Sequence, residues 1–372
     1  MTTQGRTVGG GPIIIDLGCL GVNTKGVARV LTALTPRLVA LGPGRYRAVC
    51  SPAARPELGE LGLDQDAYVV PRVFGAAWEQ VVLPGACTRL GASSVYSHGE
   101  CGAIWGPRQL LHVPEDPEVR WQREPTTGIR ELTRRRYSRL LMNRSLARAN
   151  VVVSTSATLT DLVRNHHLDP DRATVVPLGV DLDQFQPSLG RPSEPSYFFT
   201  LASSDDRDRT ELILRAFGRY RLELGGTCRL IIGGSLGAKA DGLTQLVEGL
   251  GISDATAFRG RLTDLELAEH YAGALATLHA SPDEGFGLQP LEAMASGSLL
   301  IATPATAVEE VTEGAVVLWV DPRVDSLADA MRRVEHDLGL VEKARTINRR
   351  RAEGYSWDRT AQTLHALLVD MK

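Results

Sequence analysis

The sequence predicts an α/β protein built from two doubly wound, parallel-sheet domains, and three observations support this prediction. Short apolar runs alternate with longer segments of helical spacing, which is typical of parallel sheets covered by helices on both faces. The chain has 372 residues, a length that suits two domains. Near its middle, residues 186–195 are rich in proline, serine and glycine, the composition of an interdomain linker.

The alternation begins with an apolar run at residues 13–15, which is followed by glycines and then by a predicted helix. Apolar residues recur in this helix at the three- and four-residue spacing of a buried face, at Val27, Val30, Leu31, Leu34 and Leu38. Before the linker, further strands are predicted at 47–50, 94–96, 109–113, 151–154 and 174–176. After the linker, strands are predicted at 198–201, 230–232, 276–279, 299–301 and 316–320.

Composition excludes several classes of protein. With 41 basic and 44 acidic residues the net charge is -3, so we expect no general binding of nucleic acid. The five cysteines form no pair with two-residue spacing, which excludes a zinc ribbon and a thioredoxin-like motif. The polar N-terminus lacks the apolar stretch of a secretory signal, and no run is long enough to span a membrane. We therefore expect a soluble, cytoplasmic protein.

Residues 118–150 are locally basic, with nine arginines against three acidic residues. One interpretation is a helix that docks on an anionic membrane surface. The other is a solvated surface helix that packs its leucines, Leu132, Leu140, Leu141 and Leu146, on the sheet. Only four of the 41 basic residues of the chain are lysines, so its arginine excess indicates coding bias. We favour the surface helix, and a peripheral membrane contact stays open as the less favoured interpretation.

The most informative segment is residues 281–297, which follows a predicted strand. Pro290 suits the first turn of a helix, and Gly297 suits its end. Backbone amides at the N-terminus of such a helix form an anion site that suits a diphosphate. The glycines before it let the backbone approach a ligand closely. The amides that we expect to point at the ligand belong to Phe286, Gly287 and Leu288.

Two carboxylates flank this predicted anion site. Glu284 lies in the loop before the helix, and Glu292 is placed in its first turn. A carboxylate accepts hydrogen bonds from pairs of hydroxyl groups. A sugar on one side of a diphosphate and a ribose on the other supply such pairs, so the arrangement suits a nucleotide-diphosphate sugar.

This segment resembles the motif of the retaining glycosyltransferases of family 4, in which seven residues separate two glutamates. The likeness covers nearly the whole chain, in the family's order, at residues 13–29, 175–187, 230–234, 258–262 and 356–358. It implies the GT-B fold, in which two Rossmann-like domains face each other across a deep cleft. Residues 1–186, with a C-terminal helix at 357–372 that crosses back, would bind the acceptor. Residues 187–356 would bind the nucleotide sugar.

The resemblance also implies roles for individual residues. Glu284 binds hydroxyls of the donor sugar, and Glu292 binds the ribose. His112, at the end of a predicted strand, faces the donor sugar, with His98 as a competing candidate. The remaining donor-binding residues lie in glycine-containing loops and are Gly26, Gly260, Arg261, Gly285, Phe286, Gly287 and Leu288.

The sequence departs from the family where an arginine and a lysine normally neutralise the departing diphosphate. An ungapped comparison places Ala202 and Asp208 at those two positions. Arg207 or Arg209 in the same loop can substitute, because guanidinium pairs well with phosphate oxygens. The alternative is that both pair with neighbouring aspartates. Lys25, beside Gly26, is a further donor-binding candidate.

The implied reaction is retaining transfer of a sugar from a nucleotide-diphosphate sugar to a hydroxyl of a glycan, lipid or small natural product. By resemblance it needs no metal, cofactor or protein nucleophile, because the leaving phosphate takes the acceptor proton. UDP, GDP and dTDP donors remain open, as does the oligomeric state. The altered loop motivates an alternative, an auxiliary protein that binds nucleotide sugars with little or no transfer. A GT-B phosphorylase or epimerase is a third interpretation, against which the glutamate spacing argues.

Overall fold

The computed structural model describes residues 10–21, 26–71, 73, 75–123, 128–187 and 196–371. The chain divides into two compact units. Unit 1 comprises Met1–Gly179 and Trp357–Lys372, and unit 2 comprises Val180–Ser356. Within the described residues, no helix combines the length and the apolar character needed to cross a membrane.

Unit 1 is built on a seven-stranded parallel sheet. The strands are β1 (Ile13–Leu17), β2 (Tyr46–Cys50), β3 (Ala67–Val69), β4 (Ser94–His98), β5 (Arg108–Val113), β6 (Asn150–Val153) and β7 (Ala173–Val175). Their order across the sheet is β3-β2-β1-β4-β5-β6-β7. The helices that precede unit 2 in the chain are α1 (Gly26–Leu41), α2 (Leu83–Arg89), α3 (Pro117–Arg123), α4 (Ile129–Leu146) and α5 (Ser156–His166).

Unit 2 is built on a six-stranded parallel sheet of order β10-β9-β8-β11-β12-β13. Its strands are β8 (Tyr197–Leu201), β9 (Arg229–Gly233), β10 (Thr256–Gly260), β11 (Ala276–His279), β12 (Leu299–Ala302) and β13 (Val317–Trp319). Its helices are α6 (Thr210–Leu222), α7 (Ala240–Gly249), α8 (Asp264–Gly273), α9 (Leu288–Ala295), α10 (Thr306–Val311), α11 (Val324–His336) and α12 (Leu338–Ala352). The last helix of the chain, α13 (Trp357–Asp370), belongs to unit 1.

Four of the five residues predicted for the apolar face of α1 are buried, and Val27, the second residue of the helix, is half-buried. Val30, Leu31, Leu34 and Leu38 are buried, because their spacing places them on one side of the helix. The same helix packs against α13. Two polar contacts accompany this packing: Nε of Arg37 lies 2.8 Å from Oδ1 of Asp358, and the hydroxyl of Tyr46 lies 2.6 Å from Nδ1 of His365.

The prediction that the four leucines of α4 share one packed face is wrong. Leu141 and Leu146 are buried beside Met142, whereas Leu132 is 40% exposed and Leu140 is 49% exposed. Leu132 and Leu140 are eight residues apart and therefore lie on roughly the same side of the helix. Each residue of a helix is rotated by about 100° from the one before it, so Leu141 points to a different side from Leu140. Only two of the four leucines therefore pack α4 against the rest of unit 1.

The two units divide between Gly179 and Val180, not between residues 186 and 187 as predicted. The intervening residues pack on unit 2. Phe185 is 2% exposed and contacts Tyr271, with 6.2 Å between ring centroids. Arg349 donates through Nη2 to the carbonyl oxygen of Leu182 at 3.1 Å. Burial of Phe185 therefore moves the boundary upstream of the segment whose composition resembles a linker.

Candidate functional site

The sheet of unit 2 has a topological switch point between β8 and β11. From β8, the chain proceeds to β9 and β10 on one side and later to β11, β12 and β13 on the other. The loops that follow β8 and β11 therefore leave the carboxyl edge of the sheet in opposite directions and open a crevice. Ligands of open α/β sheets bind in such crevices. The two loops, residues 202–209 and 280–287, contain half of the predicted donor-binding residues.

The loop after β11 leads into α9 through a left-handed residue. Gly287 has a φ of +94° and caps the helix, whose first hydrogen bond runs from the N–H of Leu291 to the carbonyl of Gly287 at 3.0 Å. Pro290 lies in the first turn, as predicted, and has no N–H. The first-turn N–H groups that precede this bond are therefore those of Leu288 and Gln289. The sequence analysis did not select the backbone N–H of Gln289 as a hydrogen-bond donor.

The side chain of Phe286 anchors this loop. It is 5% exposed and meets the ring of Tyr355 edge-on, with 5.8 Å between centroids. The Tyr355 hydroxyl in turn donates to the carbonyl of Val311 at 3.0 Å. Because the phenyl ring points into the core of unit 2, a ligand at this loop meets the backbone of Phe286 and not its ring.

The two glutamates have different surroundings. Glu292 is 3% exposed and is the fifth residue of α9, so it lies in the second turn and not in the first turn as predicted. Glu284 lies in the loop, with 27% of its side chain exposed. The Glu292 carboxylate on α9 is therefore buried, and the Glu284 carboxylate in the loop is partly exposed.

His279, which the sequence analysis did not select, lies beside Glu284. It is the last residue of β11 and is 5% exposed. Its Nε2 lies 3.7 Å from Oε1 of Glu284. Burial lowers the pKa of His279 to about 4, so the imidazole is neutral near pH 7 and the contact is not an ion pair. A polar residue that ends an apolar strand directly before a site loop is the signal that identifies it.

The loop after β8 folds around its own aspartates. Asp205 accepts a hydrogen bond from the backbone N–H of Arg207 at 3.1 Å and pairs with its guanidinium at 3.2 Å. Asp208 accepts a hydrogen bond from the backbone N–H of Ser203. Arg209 precedes α6 with a φ of +47°, a left-handed conformation that is uncommon outside glycine. Arg207 is thus engaged by a neighbouring acid, as the alternative interpretation anticipated.

The ends of β9 and β10 lie at the same carboxyl edge. Gly234 has a φ of +100°, and a Cβ there would lie 1.9 Å from the carbonyl oxygen of Ala202. Its N–H donates to the carbonyl of Gly260 at 2.6 Å. Gly260 has a φ of +67° with open space where a Cβ would stand, and Arg261 beside it is exposed. A contact of Gly260 and Arg261 with a base stays a prediction.

In unit 1, the candidate histidines occupy the ends of two neighbouring strands. His112 is fully buried, with Nδ1 2.9 Å from the Tyr96 hydroxyl and Nε2 2.8 Å from the Ser154 hydroxyl. Burial, and then the nearby His98, hold its pKa well below 6.5. A direct contact with a sugar therefore requires one of these hydrogen bonds to break.

His98 differs from His112 in its hydrogen bonding. Its ring lies 4.4 Å from that of His112, and neither ring nitrogen has a hydrogen-bond partner among the described residues. Burial lowers its pKa to about 4. Gly26 begins α1, and Lys25 lies outside the described residues. Over the part of the chain that is described, no group of three or more His, Cys, Asp or Glu side chains is arranged to hold a metal.

The fold is that of GT-B glycosyltransferases, as comparison with solved structures shows. Sucrose-phosphate synthase from Thermosynechococcus elongatus aligns with a TM-score of 0.76 at 17% identity, over 97% of this chain and 99% of that one. WaaG, a glycosyltransferase involved in lipopolysaccharide biosynthesis, aligns with a TM-score of 0.76 at 14% identity, over 96% and 100%. HepE from Anabaena, in complex with UDP and glucose, aligns with a TM-score of 0.73 at 16% identity, over 97% and 100%.

The sequence match is more specific within unit 2. Residues 181–352, which make up nearly all of unit 2, match the family described as glycosyl transferases group 1. The MMP alpha-(1->4)-mannosyltransferase of Mycolicibacterium hassiacum is 33% identical over 262 residues, 67% of this chain and 61% of that protein. The D-inositol 3-phosphate glycosyltransferase of Paenarthrobacter aurescens is 30% identical over 228 residues, 57% and 55%. The chain thus spans less than two thirds of these relatives' length.

Proposed function

We propose that the protein is a retaining, metal-independent glycosyltransferase of family 4 that moves a sugar from a nucleotide-diphosphate sugar to a hydroxyl acceptor. One observation carries the proposal. The left-handed Gly287 caps α9, whose first-turn amides point out of the helix N-terminus, and along the chain Glu284 precedes these amides and Glu292 follows them. This combination of anion donors and hydroxyl acceptors suits a diphosphate that joins a sugar to a ribose.

The donor would be held mainly by the carboxyl edge of unit 2. The amides of Leu288 and Gln289 bind the diphosphate, Glu284 binds sugar hydroxyls and Glu292 binds the ribose. Gly260 leaves open space beside the exposed Arg261, where a base is expected. The group 1 domain and the UDP bound to the similarly folded HepE support a nucleotide donor.

The departing diphosphate needs positive charge, because electrostatic stabilisation is often the largest contribution to catalysis. Ala202 supplies none. We assign this role to Arg209, which ends the loop after β8 and directly precedes α6. Lys25 stays a second candidate from the sequence.

The chemistry is a single exchange at the anomeric carbon. The bond from this carbon to the phosphate oxygen breaks as the bond to the acceptor oxygen forms on the same face, and the acceptor proton passes to the departing phosphate. Unit 1 would bind the acceptor. Glu284 and Glu292 act as binding groups and not as the acid and base of a glycoside hydrolase.

A turnover assay tests the proposal. The full chain is incubated with UDP-glucose, GDP-mannose and dTDP-glucose, with and without methyl mannoside or inositol 3-phosphate, in the presence of EDTA. We expect release of one nucleoside diphosphate, thermal stabilisation by the same nucleotide, and an α-linked product by NMR. Loss of release with EDTA would contradict metal independence, and no binding of any nucleotide would contradict the whole proposal.

One observation favours a second function, an auxiliary protein that binds nucleotide sugars without turnover. The loop after β8 holds Ala202 and Asp208 where the family has basic residues, and Asp208 is used to fold the loop. A protein of this kind would be stabilised by a nucleotide sugar yet would release no nucleoside diphosphate, with or without acceptor.

A further inference from the structure

We propose that His279 is a positioning residue for the donor sugar: its Nε2–H fixes one oxygen of Glu284 so that the other is presented to the sugar hydroxyls. This inference rests on the proposed function, since it takes Glu284 as the group that binds the sugar. Nε2 of His279 faces Oε1 of Glu284, so its effect on the donor passes through Glu284.

The backbone holds His279 at the switch point. The residue ends β11, where it is in register with Ala302 of β12 and its carbonyl accepts a hydrogen bond from the N–H of Thr303 at 3.0 Å. On the other side of β11, the hydroxyl of Thr200 in β8 donates to the carbonyl of Leu278 at 3.0 Å. A strand fixed from both sides gives the imidazole a defined position at the crevice.

The imidazole is buried and lacks a hydrogen-bond partner for Nε2 among the described residues. A buried N–H without an acceptor costs free energy, which a nearby carboxylate offsets by accepting it. The Glu284 oxygen 3.7 Å away is the charged group that faces this nitrogen. Since burial keeps the ring neutral, the interaction open to this pair at a shorter distance is a hydrogen bond from a neutral donor to a carboxylate.

The present distance exceeds a hydrogen bond. Contacts of this kind often shorten only when substrate is bound. A sugar whose hydroxyls hold one oxygen of Glu284 limits the rotation of the carboxylate, so that the other oxygen can settle on Nε2–H. The cost of ordering the carboxylate is then shared between His279 and the sugar. Sugar binding, and not nucleotide binding, should therefore depend on His279.

The test compares dissociation constants of UDP and UDP-glucose, or of GDP and GDP-mannose, by calorimetry on the full chain. His279→Leu should leave affinity for the nucleoside diphosphate unchanged and weaken the sugar nucleotide about tenfold, the scale of one hydrogen bond to a charged group. His279→Gln, whose amide reaches the position of Nε2, should restore most of the loss. His270→Leu, in α8 of the same unit, is the matched control and should change neither constant.

A double-mutant cycle separates positioning from packing. Glu284→Ala should weaken the sugar nucleotide, and adding His279→Leu should bring no further loss, because the two residues act as one unit. Equal losses for nucleotide and sugar nucleotide, or additive losses in the double variant, would overturn the positioning role. If His279→Leu does not fold, His279→Asn, whose shorter amide falls short of Glu284, replaces it beside His279→Gln.

The outcomes distinguish this inference from the function on which it rests. A wild-type protein that binds none of these nucleotides contradicts the proposed function. The second outcome concerns the ratio of the dissociation constants of nucleotide and sugar nucleotide. If the wild type binds the sugar nucleotide more tightly and His279→Leu has the same ratio, only the role of His279 is contradicted.

Discussion

Single residues decide which groups at the edge of unit 2 can meet an anion. Gly287 and Gly234 are both glycines for a reason, but the reasons differ. A Cβ at Gly287 would lie 3.5 Å from the nearest atom, so only its φ of +94° demands glycine. At Gly234 a Cβ would also strike a backbone oxygen. Substituting Gly287 therefore tests conformation without steric clash.

Gly287→Ala should destabilise the protein by about 1 kcal/mol, because a left-handed alanine is strained by roughly that amount. It should also weaken nucleoside diphosphate binding, since the amides of α9 lose their direction. Gly242→Ala is the matched control: it lies inside α7 with open space for a Cβ, and should stabilise by about 0.5–1 kcal/mol. Urea unfolding measures both, and an unchanged midpoint for Gly287→Ala would contradict the argument.

Arg209→Asn should lower the rate of sugar transfer about 100-fold, the scale of one lost electrostatic contact to a leaving group. Asparagine tolerates the left-handed conformation of residue 209, so the variant removes charge without adding backbone strain. Arg207→Asn, whose guanidinium already pairs with Asp205, should lose less than tenfold. Steady-state rates of nucleoside diphosphate release decide between them, and the reverse order would assign the charge to Arg207.

At the scale of elements, α4 shows how far spacing predicts packing. The sequence identified a basic helix with four leucines, but the phase of the helix divides them between core and solvent. Leu141 is 7% exposed, whereas its neighbour Leu140 is 49% exposed. Neighbours in sequence with opposite environments make a matched pair for measuring how much the buried face contributes.

Leu141→Ala should destabilise the protein by about 2–3 kcal/mol through lost burial and the cavity left behind. Leu140→Ala should change stability by less than about 0.5 kcal/mol, as is usual at exposed positions. The difference in urea midpoint between the two variants measures the anchoring of α4. Equal effects would mean that Leu140 is covered in solution.

The junction of α3, α4 and α5 has a buried carboxylate whose ionisation should couple to stability. Burial alone raises the pKa of Asp116, but hydrogen bonds from His166, Asn165 and the backbone N–H of Glu118 outweigh it, so the pKa lies below 3.8. A depressed pKa in the folded state adds stability above pH 4 that is lost as pH falls through the folded value.

Asp116→Asn should therefore cost about 1–3 kcal/mol at pH 7, because it removes the charged acceptor that these donors share. The difference in the free energy of unfolding between variant and wild type should become smaller as pH falls below about 4. Thermal unfolding followed by circular dichroism from pH 3 to pH 7 measures this. A gap that stays constant over that range would show that the carboxylate does not titrate with folding.

Comparison of the predicted and observed strands shows which elements the sequence pattern predicts and which it misses. The strand predicted at 276–279 coincides with β11, and the predicted ends of α9 at Pro290 and Gly297 agree with the structure. The sequence analysis missed β3 and had no full strand for β10. Both are edge strands without fully buried residues, β3 is only three residues long, and β10 ends in the exposed Arg259 and Gly260. The contacts of His279 with Glu284 and of Arg207 with Asp205 required folded loops, which periodicity does not describe.

At the scale of the whole molecule, the order of the strands determines where each sheet can bind a ligand. Both sheets place their first strand in the interior, so unit 1 has a switch point between β1 and β4 just as unit 2 has one between β8 and β11. Topology alone therefore offers two equivalent crevices. The amides of α9 and the two glutamates belong to unit 2, and for this reason we propose that the nucleotide binds in the crevice of unit 2.

Hydrogen exchange on the full chain tests that assignment. Saturating UDP or GDP should slow exchange about tenfold or more in peptides covering 202–209 and 284–295, because a bound diphosphate shields the amides and rigidifies the loops. Peptides covering the switch point of unit 1, at residues 17–21 and 97–101, should be protected only when an acceptor is added. Protection by nucleotide centred on unit 1 would reverse the assignment. Protection confined to 202–209 would place the diphosphate on the β8 loop without α9, and the amides of Leu288 and Gln289 would lose their role.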